Sequence, residues 1–250
     1  AERKGFGTEN YQGCVGADPI GVYARDGKLP ASLDCCLKQM AVALRWGNKN
    51  MPGVDTIFIQ GPVYHNGGAN AVQEVAAAMS TAIAYIDYLL TQGFAIDEIA
   101  GSIRFGFALG ANFFMEIAKL RAARMVWAQI VEAYGGGKEA AQLKVSAVSS
   151  AFAQTTYDPY VNVLRATTQA FSGVVGGVDA MNILAFDKPL RQADELSARI
   201  ARNIQVMMQN EFNLLSPIDP AGGSWYIESL TAELAEAIWA KLQDIEKQGG

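Results

Sequence analysis

Histidine is nearly missing from this chain: His65 is the single imidazole in 250 residues. Cysteine is scarce too, with three residues, Cys14, Cys35 and Cys36, and no CxxC pair. One histidine and an odd set of unpaired-looking thiols exclude a four-ligand zinc site, and reduced thiols of a cytosolic protein are the expectation. Positive charge is in short supply, since 20 Lys and Arg against 25 Asp and Glu leave a net charge of −5 and a pI near 5.0. No basic stripe with interleaved aromatics occurs, so nucleic acid is not an expected partner. Long hydrophobic runs are also lacking. The longest helix-like apolar run, between Glu74 and Asp87, is shorter than the ~20 residues that cross a bilayer. The polar opening AERKGFGTEN carries no signal-peptide core. These absences predict a cytoplasmic chain with no membrane or nucleic-acid partner.

What is present is apolar bulk. Half the residues are hydrophobic and 18% are charged, which predicts a sizeable core and no disordered tract. Short apolar runs alternate with long amphipathic ones. Strands are predicted at about 12–17, 54–60, 102–108, 143–149 and 177–184. Helices are predicted at about 32–48, 69–92, 111–134, 157–175, 192–214 and 229–247. In the third of these helices Phe113, Phe114, Ile117, Leu120, Met125 and Ile130 fall on one face, with Lys119 and Glu132 elsewhere. Thr156 and Asp158, with Pro159 in the first turn, predict the start of the 157–175 helix. Gly135-Gly136-Gly137 closes the helix before it. Regular β-then-α alternation predicts parallel strands with right-handed crossovers, either a doubly wound sheet or part of a (β/α)8 barrel. About five βα units are countable where a closed barrel needs eight. With no interior linker, residues 1–250 are read as one domain.

In both architectures the loops at the carboxyl ends of the strands carry function. Tyr64 and His65 follow the second strand, Ser149 and Ser150 the fourth, and Asn182 and Asp187 the fifth. An imidazole so placed could hydrogen-bond a substrate carbonyl or act as acid or base, or it could simply be a polar strand-end cap. Other signals are weaker. GGGK at 135–138 lacks the GxxxxGK-S/T spacing and follows a helix, so it reads as a cap. GxSxG is absent, and no Ser-His-Asp grouping can be argued. Phe113-Phe114 and Met207-Met208 read as core. Arg121 and Arg124, one turn apart, could reach an anion but read as solvated or ion-paired.

Four strings taken together are more specific: FGFALGANFFMEIAKLRAARMVWA (105–128), YDPYVNVLRATTQAFSGVVGGVDAMNI (157–183), DELSARIARNIQVMMQNE (194–211) and IDPAGGSWYIESLTAELAEAIWAKLQDIEKQGG (218–250). They closely resemble the methylmalonyl-CoA mutase family of adenosylcobalamin-dependent acyl-CoA mutases, and the resemblance runs from about Gly13 to the end. It implies a (β/α)8 TIM barrel, lined by small polar residues, through which the pantetheine arm of CoA threads. It also implies a separate flavodoxin-like cobalamin domain and a radical isomerisation of methylmalonyl-CoA to succinyl-CoA. This chain resembles the C-terminal part of that barrel, an α/β partial barrel of about five βα units plus a C-terminal helix. The cobalamin domain's DxHxxG signature is absent, so adenosylcobalamin is expected in the complex but not on this chain alone.

The resemblance makes Tyr64 and His65 the match to a catalytic Tyr-His pair, vestigial or functional. It makes Asn112, Arg121 and Ser149 the substrate-binding candidates. Departures accompany it. The loop YHNGGAN is about two residues shorter than the YHxxEAGA pattern. The string matching a PSMR-like segment reads LPASLDCC, with Asp34 where an arginine would clamp the substrate carboxylate. The HSQTSGW-like segment reads AVSSAFA, without His or Gln, and the QSLH-like segment reads DAMN. The implied role is the non-catalytic small subunit of a heterodimeric mutase, supporting a catalytic large subunit, or self-associating, with acyl-CoA a further candidate partner. The alternative is a catalytic barrel segment working with a cobalamin domain in trans.

Overall fold

Five apolar runs form five strands: β1 (Gly13–Ala17), β2 (Val54–Gln60), β3 (Ile103–Leu109), β4 (Lys144–Ser149) and β5 (Ala180–Asn182). The computed structural model describes residues 11–214 and 216–250, and the polar stretch 1–10 lies outside the described residues. The strands lie side by side in chain order, and every neighbouring pair is parallel. That order decides between the two architectures. A doubly wound sheet needs a point where strand order reverses. Here every crossover steps the same way, and the sheet curls into a half-barrel.

The helices are α1 (Pro19–Asp26), α2 (Leu33–Asn50), α3 (Gly61–Asn66), α4 (Ala71–Thr91), α5 (Ile96–Ala100), α6 (Phe113–Ala133), α7 (Val161–Val175), α8 (Glu195–Asn210) and α9 (Trp225–Glu246). Side-chain caps set several starts: Ser32 accepts from Cys35 N, and Asn70 and Gln73 form a reciprocal capping box. Three short helices, α1, α3 and α5, were not predicted, because five to eight residues make only about one to two turns, too few for an apolar repeat to stand out. The start of α7 is also corrected. It begins at Val161, and neither Thr156 nor Asp158 caps it with a side chain. Asn162 instead bonds both the N–H and the carbonyl of Thr155 and holds the preceding loop. β5 keeps three residues of the eight predicted.

The main core fills the space between the convex face of the sheet and α2, α4 and α6. Phe105 stacks on Phe107 and meets Trp127 edge-on. Gly47 of α2 lets the helix settle against β2, since a Cβ there would lie 2.6 Å from Thr56 Cγ2. Helix α9 forms an outer layer across α4 and α6, burying Ile227, Leu234, Ile238 and Leu242.

α6 is rotated relative to its predicted face. Phe114 and Met125 are exposed, and Lys119 is fully buried. Met208 is core, as read, whereas its neighbour Met207 is exposed. Lys119 is buried because partners meet it. Its Nζ donates to Glu74 Oε2 at 2.8 Å and to the Ala108 carbonyl at 2.6 Å, and it lies 2.5 Å from Glu116 Oε2 as a charge contact without hydrogen-bond alignment. Glu74 Oε1 in turn accepts from Ala108 N at 2.7 Å. Burial alone would drive the Lys119 proton off, but the two carboxylates outweigh it and raise the pKa, so the ammonium is charged at neutral pH. α4, β3 and α6 are thereby tied at one point.

Two testable outcomes follow from this architecture. Lys119→Met leaves two buried carboxylates without their cation and should cost about 3–5 kcal/mol in urea unfolding; a loss below about 1 kcal/mol would contradict the clamp. The outer edges of β1 and β5 have no strand partner among the described residues. An apolar groove lined by Val15, Val42, Trp46 and Met51 runs beside β1. Sedimentation should therefore show concentration-dependent self-association of the isolated chain; a monodisperse monomer would argue against an open half-barrel.

Candidate functional site

The concave face of the sheet encloses a cavity of about 730 Å³. Residues of four strands line it, alternate ones pointing in: Phe58 and Gln60 from β2, Gly106 from β3, Ser146 and Val148 from β4, Ala180 and Asn182 from β5, with Ala147 and Met181 at its border. Helices α1 and α3 close its carboxyl-end rim with Ala24, Arg25, Pro62, Val63, Asn66 and Gly67. Gly61, where β2 turns into α3, can only be glycine. A Cβ there would lie 2.6 Å from the Gly106 carbonyl oxygen.

The short helix α3 decides where its side chains go. Pro62 and Asn66 are four residues apart, as are Val63 and Gly67, and these pairs share the face turned to the cavity. Tyr64 and His65 lie around the helix from that face and are not among the lining residues. Tyr64 points to α4, where its hydroxyl pairs with Thr81 Oγ1 at 2.8 Å, and burial raises its pKa. His65 Nε2 is 2.7 Å from Ser150 Oγ, its Nδ1 is 4.0 Å from Glu74 Oε2, and Phe152 meets the ring edge-on at 6.2 Å. The sequence pointed to one strand-end pair. The structure separates its two members and joins His65 to Ser150 and, at the longer distance, to the Lys119 clamp.

The other candidates also lie off the cavity lining. Asn112 is the N-cap of α6, with Oδ1 3.4 Å from Met115 N. Ser149 is buried and accepts from Leu184 N at 2.8 Å. Arg121 sits in the outer layer, paired with Asp219 and with Glu228 at 2.7 Å. Arg124 caps the end of α7 by donating to the Gly176 and Gly177 carbonyls. Asp34 is exposed in the first turn of α2, 2.6 Å from Lys38, and does not line the cavity. The reading that Asp34 removes the guanidinium from the interior is thus corrected. Among the described residues Arg25 is the one charged residue lining the cavity, half-exposed and paired with Asp26 at 2.8 Å. Sequence reasoning missed it because it lies on α1, whose two turns are too few for an apolar repeat to stand out.

Beneath the cavity, at the amino ends of the strands, the same concave face is filled. Phe58 lies over Gly106, where a Cβ would come within 2.9 Å of Phe58 Cζ. Arg104 is two residues below Gly106, and Lys144 two below Ser146, so both share the interior face. Asp55 accepts from Arg104 Nε at 2.8 Å and from Lys144 Nζ, and Arg104 Nη1 lies 3.9 Å from Asp179 Oδ2. Two cations and two anions form a neutral floor. Cys14 sits beside it, its thiol pushed up to about 11 by burial and by Asp55, which keeps it protonated and unreactive at neutral pH. The small polar lining expected of the barrel thus holds for Ser146 and Asn182 but fails at Phe58, Arg104 and Lys144.

No described helix is long and apolar enough to cross a membrane, and no group of three or more His, Cys, Asp or Glu among the described residues is arranged to hold a metal.

Comparison with known proteins matches the whole chain, residues 1–250, to the family model for methylmalonyl-CoA mutase. A methylmalonyl-CoA mutase small subunit of Streptomyces virginiae is 38% identical over 249 residues, covering 100% of this chain and 40% of the relative. A methylmalonyl-CoA mutase of Cereibacter sphaeroides is 39% identical over 215 residues, 86% of this chain and 30% of the relative. A small subunit of Propionibacterium freudenreichii subsp. shermanii is 37% identical over 237 residues, 94% and 36%. The chain therefore spans roughly a third to two fifths of the relatives it matches. Five parallel strands curled into a half-barrel, with a match along the entire sequence, make this chain a member of the methylmalonyl-CoA mutase family.

Proposed function

We propose that this chain is a barrel segment of the small, non-catalytic subunit of a methylmalonyl-CoA mutase, acting as a scaffold for a catalytic large subunit that converts methylmalonyl-CoA to succinyl-CoA. The observation that carries this reading is the interior itself. Phe58 and the Asp55–Arg104–Lys144 lattice stand on the concave face, along which an extended acyl-CoA arm would have to run in a closed barrel. Among the described residues no imidazole or phenol lines the cavity. Pro62 and Val63 face the cavity, and Tyr64 and His65 do not. The presence of small subunits among the relatives supports the same reading.

Adenosylcobalamin, which would supply the radical chemistry, fits this chain poorly. A cobalt ligand would have to be His65, whose Nε2 is committed to Ser150 and whose side chain is largely buried. The cofactor is read as held by another domain or subunit of the complex. Acyl-CoA is read as bound by the large subunit.

One observation favours the alternative, a catalytic segment served by a cobalamin domain in trans: the Arg25 guanidinium lines the cavity and could meet an anionic ligand. The two readings separate in a reconstituted complex with the large subunit. His65→Ala and Arg25→Ala should each leave turnover within about threefold of the unmodified complex. A fall of about a hundredfold, the scale of losing an acid, base or anion clamp, would overturn the scaffold reading in favour of the alternative.

A further inference from the structure

We propose that Ser150, His65 and Glu74 form a hydrolytic site for small acyl esters, outside the barrel cavity and apart from the isomerisation proposed above. The sequence alone showed no serine–histidine–acid grouping, because the fold supplies its members from three elements. Ser150 is the first residue after β4, His65 lies in α3, and Glu74 is in the first turn of α4. Ser150 Oγ is 2.7 Å from His65 Nε2, and on the far side of the ring Nδ1 is 4.0 Å from Glu74 Oε2. Ser150 Oγ also accepts from Ala153 N at 3.2 Å, which leaves its own hydrogen to point at the imidazole. The ring proton then sits on Nδ1, facing the carboxylate. A hydroxyl touching a base that an acid orients is the arrangement of an activated nucleophile, and its outer step is often looser than a hydrogen bond in ligand-free sites.

The surroundings suit the reaction. Glu74 cannot swing away from the ring, since Ala108 N and Lys119 hold its two oxygens. Glu74 and Glu116 are set against the single Lys119 ammonium, so the surplus negative charge stabilises the imidazolium that forms when His65 takes the serine proton. The N–H groups of Ala151 and Phe152, the two residues after the serine, make no hydrogen bond among the described residues. They are the donors available to a carbonyl oxygen as it gains charge. Ser150 is buried, but only beneath the exposed residues Ala151 and Phe152. The Phe152 ring stands edge-on to the imidazole at 6.2 Å and is 68% exposed, so turning one side chain outward uncovers the pair. Alanines on both sides of Phe152 leave room for a short acyl group.

The chemistry closes without a cofactor. Ser150 Oγ adds to the ester carbonyl carbon as its proton passes to His65 Nε2. The bond from that carbon to the alcohol oxygen breaks, and the alcohol leaves with the proton from His65. Water then gives a proton to His65 and attacks the acyl-serine. The carboxylic acid departs as Ser150 regains its proton.

The test treats the full chain with a fluorophosphonate probe and, separately, with p-nitrophenyl acetate. Peptide mass mapping should place the phosphonate on Ser150, and Phe152→Ala should take it up faster than the native chain. Ser150→Ala should lose the label and return ester hydrolysis to the uncatalysed rate. His65→Ala should slow labelling and hydrolysis by roughly a hundredfold, the scale of a lost general base. Circular dichroism of each variant separates lost chemistry from lost fold, and the mapped label is read on the native chain, which needs no variant to fold. Absence of label from both the native chain and Phe152→Ala overturns the proposal. So does a label that maps to another residue, or a folded His65→Ala that labels at the native rate.

Discussion

The structure turns on one buried ammonium. Lys119 is fully enclosed, and an unpaired charge in that position would be too costly to keep. Glu74 from α4, the Ala108 carbonyl from β3 and Glu116 from its own helix make the position tenable, and in doing so they fix three elements relative to one another. Consequences spread outward from there. Gly61 must be glycine partly because Glu74 Oε1 would lie 3.3 Å from its Cβ, and Gly110 meets Glu116 Oε1 in the same way at 2.8 Å. Those two glycines end β2 and β3 and set the angles at which α3 and α6 leave the sheet. The geometry of the rim is inherited from the clamp.

The rim determines what the interior can do. Because α3 is helical from Gly61, its period turns Pro62 and Val63 inward and leaves Tyr64 and His65 to the α4 side and to Ser150. A resemblance in letters does not by itself place a side chain. The Tyr-His pair is present in the sequence, yet neither ring lines the cavity. Below, Phe58 and a neutral lattice of four charges lie on the same concave face, the charges contributed one at a time by β2, β3, β4 and the residue before β5. Arg25 remains as the cavity's single charge among the described residues, on a short helix at its mouth.

Much of the fold was legible in the sequence because its signals are local. Strand 54–60 matches to the residue, and α2, α4 and α6 lie within two residues of their predicted ends, since long periodic segments with capping residues leave little choice. The rest depends on contacts between distant positions. Asp55, Arg104, Lys144 and Asp179 each look like an ordinary charge at a strand start, and only the register brings them together. Lys119 looked like a surface lysine because Glu74 is 45 residues away. The one local hint was Glu116, three residues before it on an otherwise apolar face. Asp34 misled in the opposite sense: it drew attention as a lost arginine, and it lies on a helix outside the cavity.

A scaffold subunit that binds no acyl-CoA halves the number of sites in the proposed two-subunit complex. Equilibrium dialysis of methylmalonyl-CoA against the assembled two-subunit complex counts the acyl-CoA sites directly. Under the small-subunit reading proposed above, one molecule is bound per pair of subunits, and two per pair would contradict it.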